Sequence, residues 1–230
     1  CPIPSFGQYS PAGSLGGALT PVVKRLIIVT SAISLCQFAA RFLGFEKAVL
    51  LHLALTPGIA VGGLEPWQIV TYLFLHSTTD PMHLVLNMLG LWMFGGPLEQ
   101  MWGAKKFLFF YFTCGIFGGL CVIAAGAIVP AWWLVPTIGQ SGALYGLIAA
   151  FGVLFAEQRI WFYAIIPVKA KVFVLILGAV AVLYALAGSP YSFPAHMGGL
   201  LCGWLLVTGY WNPRFLWLKL QYRRLMRRRG

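Results

Sequence analysis

Three short stretches of the chain carry residue types able to do acyl-transfer chemistry. GQSGALYG (139–146) sets Ser141 among glycines with Tyr145 one turn further on. HLVLN (83–87) places His83 and Asn87 four apart, and AHMGGLLCG (195–203) holds His196 with Gly199 and Gly203 at i+3 and i+7. A serine hydroxyl is a poor nucleophile until a base removes its proton, and an imidazole with an ordinary pKa near ~6.5 suits that task. The only acids are Glu46, Glu65, Asp80, Glu99 and Glu157, none at a helical position beside His196. The pattern therefore points to a Ser141–His196 dyad, with the Tyr145 ring packed on the imidazole to orient it. Acyl transfer also needs donors aimed at the developing oxyanion, one of which is commonly worth about 2.7–4 kcal/mol. His83 and Asn87 supply side-chain N–H groups. The Ser141 amide, at a helix start, supplies another and adds the positive end of the helix dipole.

These residues must be carried by helices for the spacing to have meaning. Residues four apart share one helix face, which pairs His83 with Asn87 and Ser141 with Tyr145. Gly142 and Gly146 form a small-xxx-small stripe on one helix, and Gly199 and Gly203 one on another. Such stripes let two backbones approach closely where no hydrophobic drive holds membrane helices together. Gly139, Gly142, Gly146, Gly199 and Gly203 are thus read as close-packing positions that bring Ser141 within reach of His196. The glycines flanking Ser141 also leave room for a substrate carbonyl. A lone serine in a membrane helix is more often packing than chemistry. Two histidines, an asparagine and a glycine-flanked serine at one depth are harder to treat that way.

The composition supplies the setting. The chain has 230 residues, 60% hydrophobic and 9% charged, against the roughly 25% charge of an ordinary soluble domain. It reads as an all-α, polytopic membrane protein with one compact bundle. Six spans are expected, at about 24–44, 81–102, 105–128, 141–157, 168–187 and 192–211. Six crossings put every one of the 16 basic residues except Arg41 and Lys47 on one side, which the positive-inside rule makes cytoplasmic, with both termini. Spans two, four and six then begin outside, so the polar residues share a depth just below the external surface. The apolar connection 46–80, broken by Pro57, Gly58, Gly62, Gly63 and Pro66, is expected to form short helices in the outer leaflet.

Residues 1–21 are Pro-, Gly- and Ser-rich, without the basic n-region and apolar core of a signal peptide, and are expected to be flexible. Residues 22–211 form the membrane domain, and 212–230 a basic cytoplasmic tail. The net charge of +11 follows headgroups and topology rather than nucleic acid. Five cysteines show no CxxC pair, and there is no HExxH, Walker loop or GxGxxG, so no metal or cofactor is expected.

The stretches HSTTDPMHLVLNMLGLWMFGGPLEQMWG (76–103), GQSGALYG (139–146) and AHMGGLLCG (195–203) together resemble the rhomboid family of intramembrane serine proteases. Three motifs in order carry the resemblance: HxxxN, GxSGxxxG and AHxxG on the second, fourth and sixth spans. It implies a six-helix rhomboid-like bundle with Ser141 as nucleophile, His196 as base and His83, Asn87 and the Ser141 amide as oxyanion site. It also implies Tyr145 stacked on the base and Glu99 in a structural role. A transmembrane substrate would enter between spans two and five, and a loop at 188–194 would cap the site. Many members carry Trp-Arg where this chain has Trp67-Gln68, and the segment between His76 and His83 is slightly longer than in some. The function implied is a serine endopeptidase cutting in or near transmembrane helices, set in lipid bilayer; the charge topology puts the site open to the outside, and the lack of extra domains and of a targeting sequence suggests a bacterial inner membrane. The alternatives are a non-catalytic relative that binds transmembrane segments for quality control, and a small transporter or channel, which would want charges at mid-membrane.

Overall fold

The computed structural model describes residues 19–162, 166–186 and 190–209. The basic tail, residues 1–18 of the N-terminal segment and the start of the 188–194 loop lie outside the described residues. The described chain is mostly helical: α1 (Pro21–Phe42), α2 (Glu46–Leu53), α3 (Pro57–Gly62), α4 (Gln68–Thr71), α5 (Pro81–Gly90), α6 (Gly96–Trp102), α7 (Ala104–Ile128), α8 (Ser141–Leu154), α9 (Ala170–Leu186) and α10 (Phe193–Thr208). Two of these, α1 and α7, are long and apolar enough on their own to cross a membrane.

Local chemistry sets the element ends. Pro81 opens α5, where a missing N–H costs nothing, and the Asp80 side chain caps it by accepting from the Met82 amide at 3.0 Å. α5 and α6 are one continuous rod joined by a π-turn at Leu91–Gly95. Pro97 sits at the start of α6. Its ring would strike the carbonyl four residues back, and the widened turn relieves that clash. Gly103, at φ 76° and ψ 163°, then reverses the chain into α7 in a single residue, a conformation that only glycine adopts without strain. α1 has no cap of its own. Glu99 reaches across to accept from the Val22 and Val23 amides at 3.0 and 2.9 Å and from the Thr20 hydroxyl. A carboxylate on an N-terminal first turn is well placed electrostatically, and this contact ties α1 to α6.

The packing centres on α10, which lies in a groove between α7 and α8. Glycine makes both contacts possible. A Cβ on Gly118 would come within 2.8 Å of the Ala195 carbonyl oxygen, and one on Gly198 within 2.6 Å of Cys121 Sγ. On the other side, a Cβ on Gly199 would overlap the Gly142 carbonyl, and one on Gly203 the Gly146 carbonyl. Backbone therefore meets backbone along the α8–α10 seam.

One feature departs from an all-helical reading. α8 stops at Leu154, in a turn through Phe155–Glu157, and α9 starts at Ala170. Between them Arg159–Phe162 (β1) pairs antiparallel with Ile166–Lys169 (β2), Arg159 opposite Lys169. Pro167 cannot continue a helix and disfavours helix at the residue before it, and the β-branched and aromatic residues around it suit a ladder. The connection before α5 is a set of short helices, as its Pro and Gly breaks suggest.

Candidate active site

Ser141 is the first residue of α8, and the loop that delivers it is tied down at four points. Leu55 and Thr137 exchange backbone hydrogen bonds at 3.0 and 2.9 Å. The Gly139 amide donates to the Tyr72 carbonyl at 2.9 Å, while Tyr72 Oη donates to the Gly115 carbonyl at 2.7 Å. Gln140, wholly buried, accepts from Tyr111 Oη at 2.6 Å and points its amide nitrogen at the Asn87 carbonyl, 3.5 Å away. Residues from α5 and α7 thus hold the mouth of α8. Tyr72, Tyr111 and Gln140 did not stand out as site residues in the sequence. Each acts across a long sequence separation with no periodic signature.

The α8–α10 seam sets Ser141 against His196. Ser141 Oγ lies 2.8 Å from His196 Nε2, inside the range for a hydroxyl sharing its proton with an imidazole. The Tyr145 ring stacks on the His196 ring, with centroids 4.5 Å apart and planes 14° from parallel. Tyr145 Oη reaches the Leu177 carbonyl only at 3.5 Å, so its ring face is the part that counts. Gly142 sits under the Ala195 carbonyl, 3.0 Å from where its Cβ would be. A side chain there would push His196 away from Ser141.

Gly139 has a different role from the other glycines. Its φ is +109°, in the region that favours glycine, and its missing side chain makes room for a ring rather than for a helix. A Cβ there would lie 2.9 Å from both Cε1 and Nε2 of His83 and 3.9 Å from Ser141 Oγ. The Cε1–Nε2 edge of the His83 imidazole therefore lies over Gly139, two residues before Ser141. Its Nδ1 accepts from the Ser77 amide at 3.3 Å, which leaves the proton on Nε2, the nitrogen at the site. Asn87 spends one amide N–H on the His83 carbonyl of its own helix, at 2.8 Å. Its second N–H remains, and its Oδ1 is buried without a protein partner.

All five acidic residues are engaged elsewhere. Glu46 accepts from Thr78, Glu65 contacts His52 at 2.8 Å and Gln68 at 2.9 Å, and Asp80 caps α5. Glu99 caps α1, and Glu157 pairs with Lys169 at 2.7 Å and with Lys171. The imidazole of His196 has Ser141 and Tyr145 for company, and no carboxylate. Among the described residues no cluster of His, Cys, Asp and Glu could hold a metal ion.

A bundle of helices whose glycine seam sets a serine against a histidine, with a second histidine and an asparagine on the helix before them, is a helical membrane bundle built around a polar site. The chain is a member of the rhomboid family: the sequence model of the rhomboid domain matches residues 63–213. It is accordingly an integral membrane protein. Over 124 residues it is 34% identical to rhomboid protein 1, mitochondrial, of Saccharomyces cerevisiae, covering 53% of this chain and 36% of that one. It is 33% identical over 164 residues to rhomboid-like protease 3 of Toxoplasma gondii, covering 70% of this chain and 57% of the relative. It is 30% identical over 151 residues to the rhomboid protease GluP of Bacillus subtilis, covering 65% and 27%. The chain thus spans well under two thirds of the length of these relatives.

Proposed function

We propose that this chain is an intramembrane serine endopeptidase that hydrolyses a peptide bond in or near a transmembrane helix of a substrate protein. The observation that carries the reading is the 2.8 Å contact between Ser141 Oγ and His196 Nε2 in a family with several protease-named members. His196 Nε2 takes the proton as Ser141 Oγ attacks the substrate carbonyl. The resulting oxyanion meets His83 Nε2–H, the free N–H of Asn87 and the Ser141 amide. Collapse expels the amine, which takes its proton from His196. The same nitrogen then deprotonates the water that hydrolyses the acyl-enzyme. With the five carboxylates occupied elsewhere, Tyr145 rather than an acid orients the base, so a dyad does the work of a triad.

Six crossings fit this reading, with α1, the α5–α6 rod, α7, α8, α9 and α10 as spans and both termini in the cytoplasm. α8 has 14 residues, about 21 Å at ~1.5 Å per residue, against a hydrocarbon core of ~30 Å. A helix that short suits one that begins below the outer surface, where Ser141 would sit in a hydrophilic pit. A substrate helix must unwind there, and water in the pit satisfies its freed backbone groups. Residues 22–211 form the proteolytic domain, its partners being transmembrane substrates and lipid rather than nucleic acid, and a bacterial inner membrane is the expected home. The test is cleavage of a model transmembrane substrate by purified protein in detergent or liposomes, beside Ser141→Ala and His196→Ala. Cleavage by the parent alone supports the reading; cleavage that persists in both variants, or none by the parent, rejects it.

A further inference from the structure

α1 precedes the residues that the rhomboid domain model matches, yet its buried face is polar where it approaches the site. Thr30, Ser34 and Gln37 follow i, i+4, i+7 and are all buried. A helix set among apolar neighbours gains nothing from such residues unless they have partners, and two of them converge on one residue. Gln37 Oε1 accepts from the His76 amide at 3.0 Å. Ser34 Oγ lies 3.2 Å from His76 Nδ1 and 3.3 Å from the Phe74 carbonyl. His76 is 2% exposed, and its ring centroid stands 5.1 Å from that of His83. The next amide along the chain, Ser77 N–H, is the one that donates to His83 Nδ1 at 3.3 Å. A nitrogen that accepts carries no proton, so this contact decides which edge of His83 can donate.

We propose that Gln37 is a positioning residue for the oxyanion site: by holding the His76–Ser77 backbone it keeps the Ser77 amide on His83 Nδ1 and so presents His83 Nε2–H to the reacting carbonyl. The proposal rests on the reading of His83 as an oxyanion donor given above. Its consequence is that α1 is part of the catalytic apparatus although it supplies neither the dyad nor an oxyanion donor. Glu99 fixes the cytoplasmic-side end of α1, and Gln37 uses that fixed helix to brace a loop at the other end.

The experiment is nitrogen-15 NMR of the histidine rings in purified full-length protein, with the His83 signals identified by their loss in His83→Ala. The chain has only four histidines, so assignment by deletion is practical. In the parent, His83 is expected with its proton on Nε2 and an unprotonated, hydrogen-bonded Nδ1. Gln37→Leu, close in shape but without the oxygen, is expected to mix the two tautomers. It is also expected to lower kcat about tenfold with KM unchanged, part of the ~10²–10³-fold that losing a whole oxyanion donor costs. Gln37→Glu, which still offers an oxygen to the His76 amide, is expected to restore both. A parent His83 protonated on Nδ1 overturns the proposal whatever the variants do. So does a Gln37→Leu protein with the parent tautomer and parent kcat. If the tautomer follows Gln37 while His83→Ala cleaves as well as the parent, the oxyanion reading of His83 falls, and Gln37 as a catalytic positioning residue falls with it. If His83→Ala is impaired while the tautomer ignores Gln37, only the present inference falls.

Discussion

The two sides of the site are held in different ways. On the dyad side, Ser141 and His196 are placed by backbone packing: glycines at 142, 146, 199 and 203 let α8 and α10 touch carbonyl to Cα, and the side chains fall into contact as a result. On the other side, His83 is placed by a polar contact with a loop and, through it, with a helix nearly fifty residues upstream, and the Asn87 amide is held by the His83 carbonyl one turn back. The first kind of support tolerates almost no change in volume. The second tolerates shape changes but depends on each donor and acceptor. The site therefore joins a rigid half that sets distance to a hydrogen-bonded half that sets protonation and direction.

That contrast can be broken at several points. Removing the nucleophile acts on neither kind of support and should cost most. Ser141→Ala is expected to lower kcat for a model transmembrane substrate on the order of 10⁶-fold, measured by single-turnover cleavage with melting temperature unchanged. His83→Ala removes the hydrogen-bonded half's main donor and should cost ~10²–10³-fold in kcat while leaving KM near the parent value.

Gly199→Ala attacks the rigid half. Its methyl would occupy the Gly142 carbonyl, so α10 must shift, and displacing a reacting group by about 1 Å can cost ~10²-fold. Because overpacking also destabilises, by ~1–3 kcal/mol or more, this variant should lose melting temperature along with rate, whereas His83→Ala should lose rate alone. A Gly199→Ala protein with parent rate and stability would refute the packing account of the dyad.

Smaller effects separate ring from hydroxyl at Tyr145. Stacking of this kind is worth ~0.5–1.5 kcal/mol, so Tyr145→Ala should cost up to about tenfold in kcat. Tyr145→Phe, which loses only a 3.5 Å contact to the Leu177 carbonyl, should stay near the parent.

The smallest effect is expected far from the site. Glu157 is exposed, and hydrogen bonds from Lys169 and Lys171 hold its carboxyl down at about 2. A carboxylate whose folded pKa is depressed adds stability above its unfolded pKa and loses it as pH falls toward the folded one. Any contribution thus disappears only between the ordinary carboxylate range and about pH 2, and salt screens it. Glu157→Gln should leave cleavage at neutral pH unchanged, and a loss of rate there would show that the base of the β1–β2 ladder is coupled to the site.

The rigid half was the legible half. Glycine spacing, helix period and the motif serine and histidine are local, so GQSGALYG and AHMGGLLCG expose the seam and its cargo together. The hydrogen-bonded half was legible only in its last residues, His83 and Asn87. Gln37 carries no signal of its role in the sequence, because its partner is a backbone amide 39 residues away. Gln140 is equally silent in the sequence, while it is the tie between α7 and α5. Gly139 belonged by type with the close-packing glycines, and only its φ of +109° and the ring beside it show that it makes room for His83. The β1–β2 ladder lay hidden for another reason: residues 160–187 are apolar almost throughout, and a short apolar run does not distinguish strand from helix by period. Pro97 explains the π-turn once it is seen, yet many helices absorb a proline by bending instead.

The most direct measurement is the mass of the adduct formed when purified protein in detergent meets a serine-directed fluorophosphonate. The account predicts one adduct, on Ser141, formed by the parent, abolished in Ser141→Ala and slowed by orders of magnitude in His196→Ala, with folding intact in each. Labelling of Ser141 at the parent rate in His196→Ala would contradict it, because the imidazole 2.8 Å away would then be doing nothing to activate the alcohol.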